Sequence, residues 1–243
     1  MQARGVAIIT GASRNIGRAI ALALAVDGYH LGLLARKDQQ ALDEVAEEAR
    51  SQGVDVHTGL VDVRDGAAVH AAIAEVRDRF GQIDVLVNNA AVRRETPFEQ
   101  ITEQEWREIL DIVLDGAFHG SAAVLPGMRE AGGGRIVNIA GVTGQSGAAR
   151  RAHVVTAKAG LIGLTKALAS EYAEHGVTVN AVSPGLIDTT RAEVPAHHQS
   201  KHIPVGRPGA PGEIAAAVRY LISPEAAFVT GHTLNINGGI YLG

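Results

Sequence analysis

Thr10-Gly11-Ala12-Ser13-Arg14-Asn15-Ile16-Gly17-Arg18 joins a short apolar run, Val6–Ile9, to Ala19-Ile20-Ala21-Leu22-Ala23-Leu24, whose composition is helical. A buried strand, a tight glycine turn and a helix start, in that order, make an anion site. Gly11 permits the turn and Gly17 lets helix and strand pack closely. The free N–H groups and positive dipole end of the helix then face a pyrophosphate. A glycine turn alone is also an ordinary strand-to-helix connection, so its surroundings must decide.

Outward from the turn, apolar β-rich runs alternate with helical patterns. Strands are expected at Val6–Ile9, His30–Leu34, Val54–Val61, Val85–Asn88, Arg135–Ile139, Val177–Val182 and Thr233–Ile236. Helices are expected at about 16–27, 38–52, 66–80, 102–129, 153–174 and 211–222. Continuous apolar strands separated by helices imply a parallel sheet covered on both faces. Right-handed crossovers make it doubly wound, with its ligand crevice at the carboxyl ends of the strands. The expected fold is therefore α/β, one doubly wound parallel sheet of about seven strands, with 1–243 as a single domain. The longest stretch without clear periodicity, 188–211, reads as a substrate lid within that domain.

Composition narrows the function. With 46% apolar and 20% charged residues the chain reads as folded and globular. A net charge of −4 gives no electrostatic case for nucleic acid or an anionic membrane. The absence of cysteine excludes disulfides, Cys-ligated zinc and thiol catalysis. The histidines show no metal spacing, so no metal is expected. No apolar run reaches the length of a membrane span, and the first residues lead almost at once into a strand, so a cytoplasmic protein is expected.

The ordered motifs resemble the short-chain dehydrogenase/reductase family, in particular its 3-oxoacyl-carrier-protein-reductase-like branch, over essentially the whole chain. Thr10–Gly17 is similar to the family's cofactor turn, and Asp62-Val63 to the pair beside the adenine. Asn88-Asn89-Ala90-Ala91 resembles the motif closing the fourth strand, with Ala91 in place of its glycine. Asn180-Ala181-Val182-Ser183-Pro184-Gly185 is similar to the segment on the nicotinamide side, which Ile187 and Thr189 continue. Ile203–Arg207 and Asn237-Gly238-Gly239 match C-terminal signatures. The resemblance implies a Rossmann-type fold, a nicotinamide cofactor, a small-molecule substrate and a homodimer or homotetramer through the long helices. Asn15 stands where the family often has its middle glycine, and Asn tolerates left-handed backbone angles.

The nucleotide is read from the end of the second strand, Leu33-Leu34-Ala35-Arg36-Lys37. An NAD site places an acid there for the ribose 2′-OH. Ala35 cannot serve, whereas Arg36 can pair with a 2′-phosphate and Arg14 can approach it from the turn, which favours NADP(H).

The family's catalytic set is Asn, Ser, Tyr and Lys. Carried over position by position, Lys158 matches, but Val154 stands at the Tyr, Gly141 at the Ser and Val113 at the Asn. Tyr172 cannot substitute, because it lies about 21 Å farther along the same helix. A valine has no proton to give, while hydride transfer needs only a bound nicotinamide close to an acceptor carbon. The remaining proton sources are His153, Thr156, Arg150, Arg151, Lys158, His119, the lid histidines His197, His198 and His202, and water. Arg151 falls near the Lys158 face if the helix begins early enough, and His153 reaches in only if it belongs to the preceding loop. Arg150-Arg151 reads either as surface charge or as a grip for an anionic substrate group. Lys158 itself reads first as a ligand of the cofactor ribose. Arg93, Arg94 and Phe98 are candidates to face the substrate. The expected activity is an NADP(H)-dependent oxidoreductase with a non-standard proton path, reducing an activated C=C, C=N or C=O bond. The alternatives are a non-redox cyclase, isomerase or lyase on the same fold, and a catalytically silent nucleotide-binding subunit.

Overall fold

The computed structural model describes residues 4–189 and 203–243. Seven strands form one parallel sheet in the order β3-β2-β1-β4-β5-β6-β7. They are β1 Gly5–Thr10, β2 Tyr29–Ala35, β3 Val56–Leu60, β4 Val85–Asn88, β5 Gly134–Ile139, β6 Val177–Pro184 and β7 Thr233–Ile236. The helices are α1 Asn15–Val26, α2 Gln39–Arg50, α3 Gly66–Phe80, α4 Glu103–Leu110, α5 Gly116–Glu130, α6 Thr143–Ser146, α7 Ala152–Tyr172 and α8 Pro211–Ile222. The expected α/β class and doubly wound sheet are thus found. Strand order reverses between β1 and β4, where Ala7, Ile8 and Ile9 pair with Val85, Leu86 and Val87. That reversal is where such sheets bind ligands.

The period-2 alternation of β1 sorts its side chains onto two faces. Ala7 and Ile9 join the core under α1, α2 and α8, with Ile20, Leu24, Leu42 and Ile214. Val6 and Ile8 join the other core, under α3, α5 and α7, with Ile73, Leu86, Met128 and Leu161. A buried polar chain crosses the second layer. Asn88 Nδ2 donates to Asn138 Oδ1 at 2.9 Å, and Asn138 Nδ2 donates to Thr165 Oγ1 at 2.9 Å. It ties β4 and β5 to α7, beneath the carboxyl ends of the strands.

The structure corrects several boundaries. The single helix expected over 102–129 contains a π-turn, Asp111–Asp115, between α4 and α5. This continuous helical run, Glu103–Glu130, is also long and apolar enough to cross a membrane by composition. Half of its most apolar window is buried, as in a core helix. β6 runs two residues past Val182, because β7 pairs with Ser183 and Pro184. The short α6 escaped the periodicity altogether. Most of the 188–211 segment, His197, His198 and His202 included, lies outside the described residues.

Candidate active site

The turn after β1 is built as its residue types require. Gly11 has φ 67°, and Asn15, at the start of α1, has φ 52°. These are left-handed angles that Gly adopts freely and Asn tolerates. A Cβ on Gly17 would lie 2.7 Å from Asn89 Nδ2 and closer still to the Gly11 carbonyl oxygen. Asn89 Nδ2 donates to the carbonyls of Thr10 at 2.9 Å and Gly11 at 3.0 Å, and the Thr10 hydroxyl accepts from the N–H groups of Asn89 and Ala90. The end of β4 therefore holds the turn rigid.

No side chain caps α1, and its first turn carries no acid, whereas Asp38, Asp65 and Thr102 cap α2, α3 and α4. An open, rigid helix start of twelve residues suits a phosphate. Arg14 and Arg36 are both exposed beside this cradle, and Ala35 is buried. Ser13 and Ile16 complete the turn. Asp62, beyond β3, is held below the usual carboxylate range chiefly by hydrogen bonding to Arg64, with a smaller contribution from Arg36.

A cleft opens beside the cradle at the carboxyl ends of the strands. One wall is Ile16, Asn89, Ala91, Val92 and Arg93. The floor is Ile139 to Thr143, α7 contributes Val154 and Lys158, and Arg151 just before α7 completes that side. Pro184, Gly185 and Ile187 close it from β6. Asn237 backs that last wall so tightly that a Cβ on Gly185 would come within 2.7 Å of its Cα, which accounts for the glycine at 185. Lys158 is 8% exposed, and its Nζ donates to the Ile139 carbonyl at 2.6 Å. Burial, then the charges of Arg93 and Arg151, push its ammonium down to about 7.

Of the sequence candidates, Lys158, Arg151, Asn89, Ala91, Ile16, Pro184, Gly185 and Ile187 line this cleft. Val154 faces into it, and at Gly141 a Cβ would touch nothing within 4 Å. Val113 is buried in the π-turn. His153 stands apart from the cleft. Helix α7 begins at Ala152, so His153 lies inside the helix and its Nε2 meets Glu105 Oε1 at 2.9 Å, away from the cleft residues. Thr156 is exposed, and His119 bonds the Val63 carbonyl at 2.9 Å. Arg94 pairs with Glu108 and Phe98 is exposed, which leaves Arg93 as the one of that trio on the cleft. Thr143 was missed. Its buried hydroxyl-bearing side chain lines the floor two residues beyond Gly141, and only the three-dimensional path of α6 puts it there.

The profile of a family described as Enoyl-(Acyl carrier protein) reductase matches residues 11–241. The chain belongs to the short-chain dehydrogenase/reductase family. Among curated relatives, it is 39% identical over 240 residues to the 3-oxoacyl-[acyl-carrier-protein] reductase FabG of Staphylococcus aureus, covering 97% of this chain and 98% of that one. The FabG of Vibrio cholerae is 39% identical over 247 residues, covering 98% and 97%. Among solved structures, acetoin dehydrogenase YohF from Salmonella typhimurium superposes with a TM-score of 0.90 at 35% identity, over 97% of this chain and 95% of that one. A putative short-chain alcohol dehydrogenase from Sinorhizobium meliloti gives 0.92 at 33% identity, over 98% and 96%.

Proposed function

We propose that the protein is an NADP(H)-dependent oxidoreductase that reduces an activated C=C, C=N or C=O bond of a small substrate without the family's Tyr, Ser and Asn. The observation that carries this reading is the cleft itself. It adjoins an intact dinucleotide cradle, and its α7 wall presents Val154 and Lys158. Gly11 to Gly17 would hold the pyrophosphate, and Arg14 and Arg36 the 2′-phosphate. Asp62 and Val63 would border the adenine. Asn89, Ala90, Ala91 and Lys158 would meet the ribose side, and Pro184, Gly185, Ile187 and Thr189 the nicotinamide side. The bound cofactor supplies hydride.

Lys158 is the titratable group best suited to supply the proton, because an ammonium held near neutrality releases one readily at physiological pH. Thr143 would orient the polar end of the acceptor. We assign the protein to the cytoplasm and read it as a homodimer or homotetramer through α4–α5 and α7. The exposure of Phe118 on α5 supports that reading.

Two experiments test this. NADPH is expected to bind at least about 30-fold more tightly than NADH, the worth of one or two charge-assisted pairs. Substituting Arg14→Ala and Arg36→Ala together should erase the difference, measured by cofactor fluorescence. Equal binding by the parent protein would remove the NADP assignment. The second experiment restores the missing acid. Gly141→Ser meets no steric barrier, and with Val154→Tyr it should raise ketone reduction by about 10²-fold or more, the usual worth of a positioned acid. NADPH binding with no turnover by the parent across ketones, imines and enoyl thioesters would favour a silent or non-redox protein instead.

A further inference from the structure

We infer that the substrate carries an anionic group, a carboxylate or similar oxyanion, bound between Arg93 and Arg151. This deepens the oxidoreductase reading above by naming the substrate's charge. Among the described residues, the cleft lining includes Arg93, Arg151 and Lys158 but no Asp or Glu. Arg93 stands on the loop after β4 and Arg151 at the start of α7, so the two guanidinium groups come from separate chain segments. Arg151 is 6% exposed. A guanidinium that deep needs acceptors for its N–H groups, and its planar fork matches an oxyanion bidentately.

The segments carrying both arginines are fastened to each other. The N–H of Thr96 donates to the Arg150 carbonyl at 2.8 Å. The Thr96 hydroxyl donates to Glu105 Oε1 at 2.6 Å, and the same oxygen meets His153 Nε2 at 2.9 Å. Arg150 itself has φ 61°, a left-handed angle costly for a non-glycine residue, held here by the bond to Thr96. Among the described residues, Glu105 is engaged by Thr96 and His153, and Glu108 by Arg94. Both cleft arginines also interact within the chain. Each has five N–H donors, which leaves capacity for a ligand.

Lys158 would respond to such an anion. The charged groups acting on it are Arg93 and Arg151, while Glu105 and His153 are paired with each other against α4. A bound anion offsets both arginine charges and favours the ammonium, so ligand binding draws a proton from solvent onto Nζ. In turnover that proton passes to the substrate as hydride arrives. The amine is then neutral and regains a proton from solvent in the next cycle. Above neutral pH the cleft thus loads its acid as an anionic substrate binds.

Calorimetry with acetate, 4-oxopentanoate and benzoate, each against its neutral primary amide, tests the inference on the protein with and without NADPH. Titrations at about pH 8, in buffers of different ionisation enthalpy, count protons. At least one carboxylate should bind tenfold or more tightly than its amide, a ratio expected for one charge-assisted contact, with uptake approaching one proton. Arg151→Gln should abolish the preference. Arg93→Gln, at an exposed position on a loop, should weaken it severalfold in a protein that folds normally. Carboxylates that bind no better than amides across the panel overturn the inference, as does preferential binding unchanged in both variants. Failure of NADPH to bind would instead count against the oxidoreductase reading, and the carboxylate preference of the cofactor-free protein is scored separately.

Discussion

Lys158→Met is expected to stabilise the protein at neutral pH while reducing turnover by about 10³-fold or more. Ordinary Lys side chains keep their proton to about pH 10.5, whereas Lys158 in the folded chain is pushed down to about 7. Between those values the unfolded state binds more protons than the folded one, so the stability of the parent rises with pH through that window. At about pH 7 and below, holding the buried ammonium costs roughly 3–5 kcal/mol. Methionine removes that cost and keeps most of the packing, but strands the Ile139 carbonyl that Nζ now satisfies. A net gain of about 1–3 kcal/mol, or several degrees in Tm, should remain. Denaturant titrations from about pH 6 to 10 should show the variant ahead at low pH and the curves converging and then crossing as pH rises. A variant that is less stable at neutral pH, or that keeps full activity, would refute the electrostatic and catalytic parts respectively.

Gly17→Val should be the most damaging change in the cradle. Gly17 lies in the first turn of α1 with ordinary helical backbone, so the penalty is purely steric. Its first side-chain atom would collide with the Gly11 carbonyl and the Asn89 amide, the groups that brace the turn. Relief requires moving α1 away from β1, at about 2–4 kcal/mol, because an overpacked core cannot yield locally. The helix start then no longer aims at the phosphate, and dinucleotide affinity should fall by about 10²-fold or more. Chemical denaturation and cofactor fluorescence measure the two effects. Gly127→Ala is the control, since a Cβ there meets nothing within 4 Å and stability should hold or rise slightly. Nucleotide binding by Gly17→Val at parental strength would show that the close approach is dispensable.

The fold was legible because its signals are local. Seven apolar runs, the glycine turn and the helical patterns between them each follow from backbone periodicity, and their order admits few topologies. Lys158 and Val154 were placed correctly on one helix face for the same reason. Arg151 was ambiguous because its direction depends on where α7 starts, and helix starts are poorly marked when no side chain caps them, as here. Arg93 could not be separated from Arg94, since only the position of Glu108 on α4 decides which arginine turns outward. Thr143 had no signal at all, because a four-residue helix shows no period. The cradle is a local motif, whereas the cleft is assembled from five separate segments.

The π-turn at Asp111–Asp115 bears on how this chain tolerates length changes. A π-turn amounts to an α-helix carrying one surplus residue. Deleting one residue of that turn would let the helix close into a regular one, with its two halves keeping nearly the same relative phase. A deletion inside α5 has no such slack and turns the helix beyond it by about 100°, carrying Val124 or Met128 out of the core. The surplus residue thus acts as slack between two halves of one helix. Single-residue deletions should be better tolerated at Asp111–Asp115 than inside α5 among functional descendants of this chain.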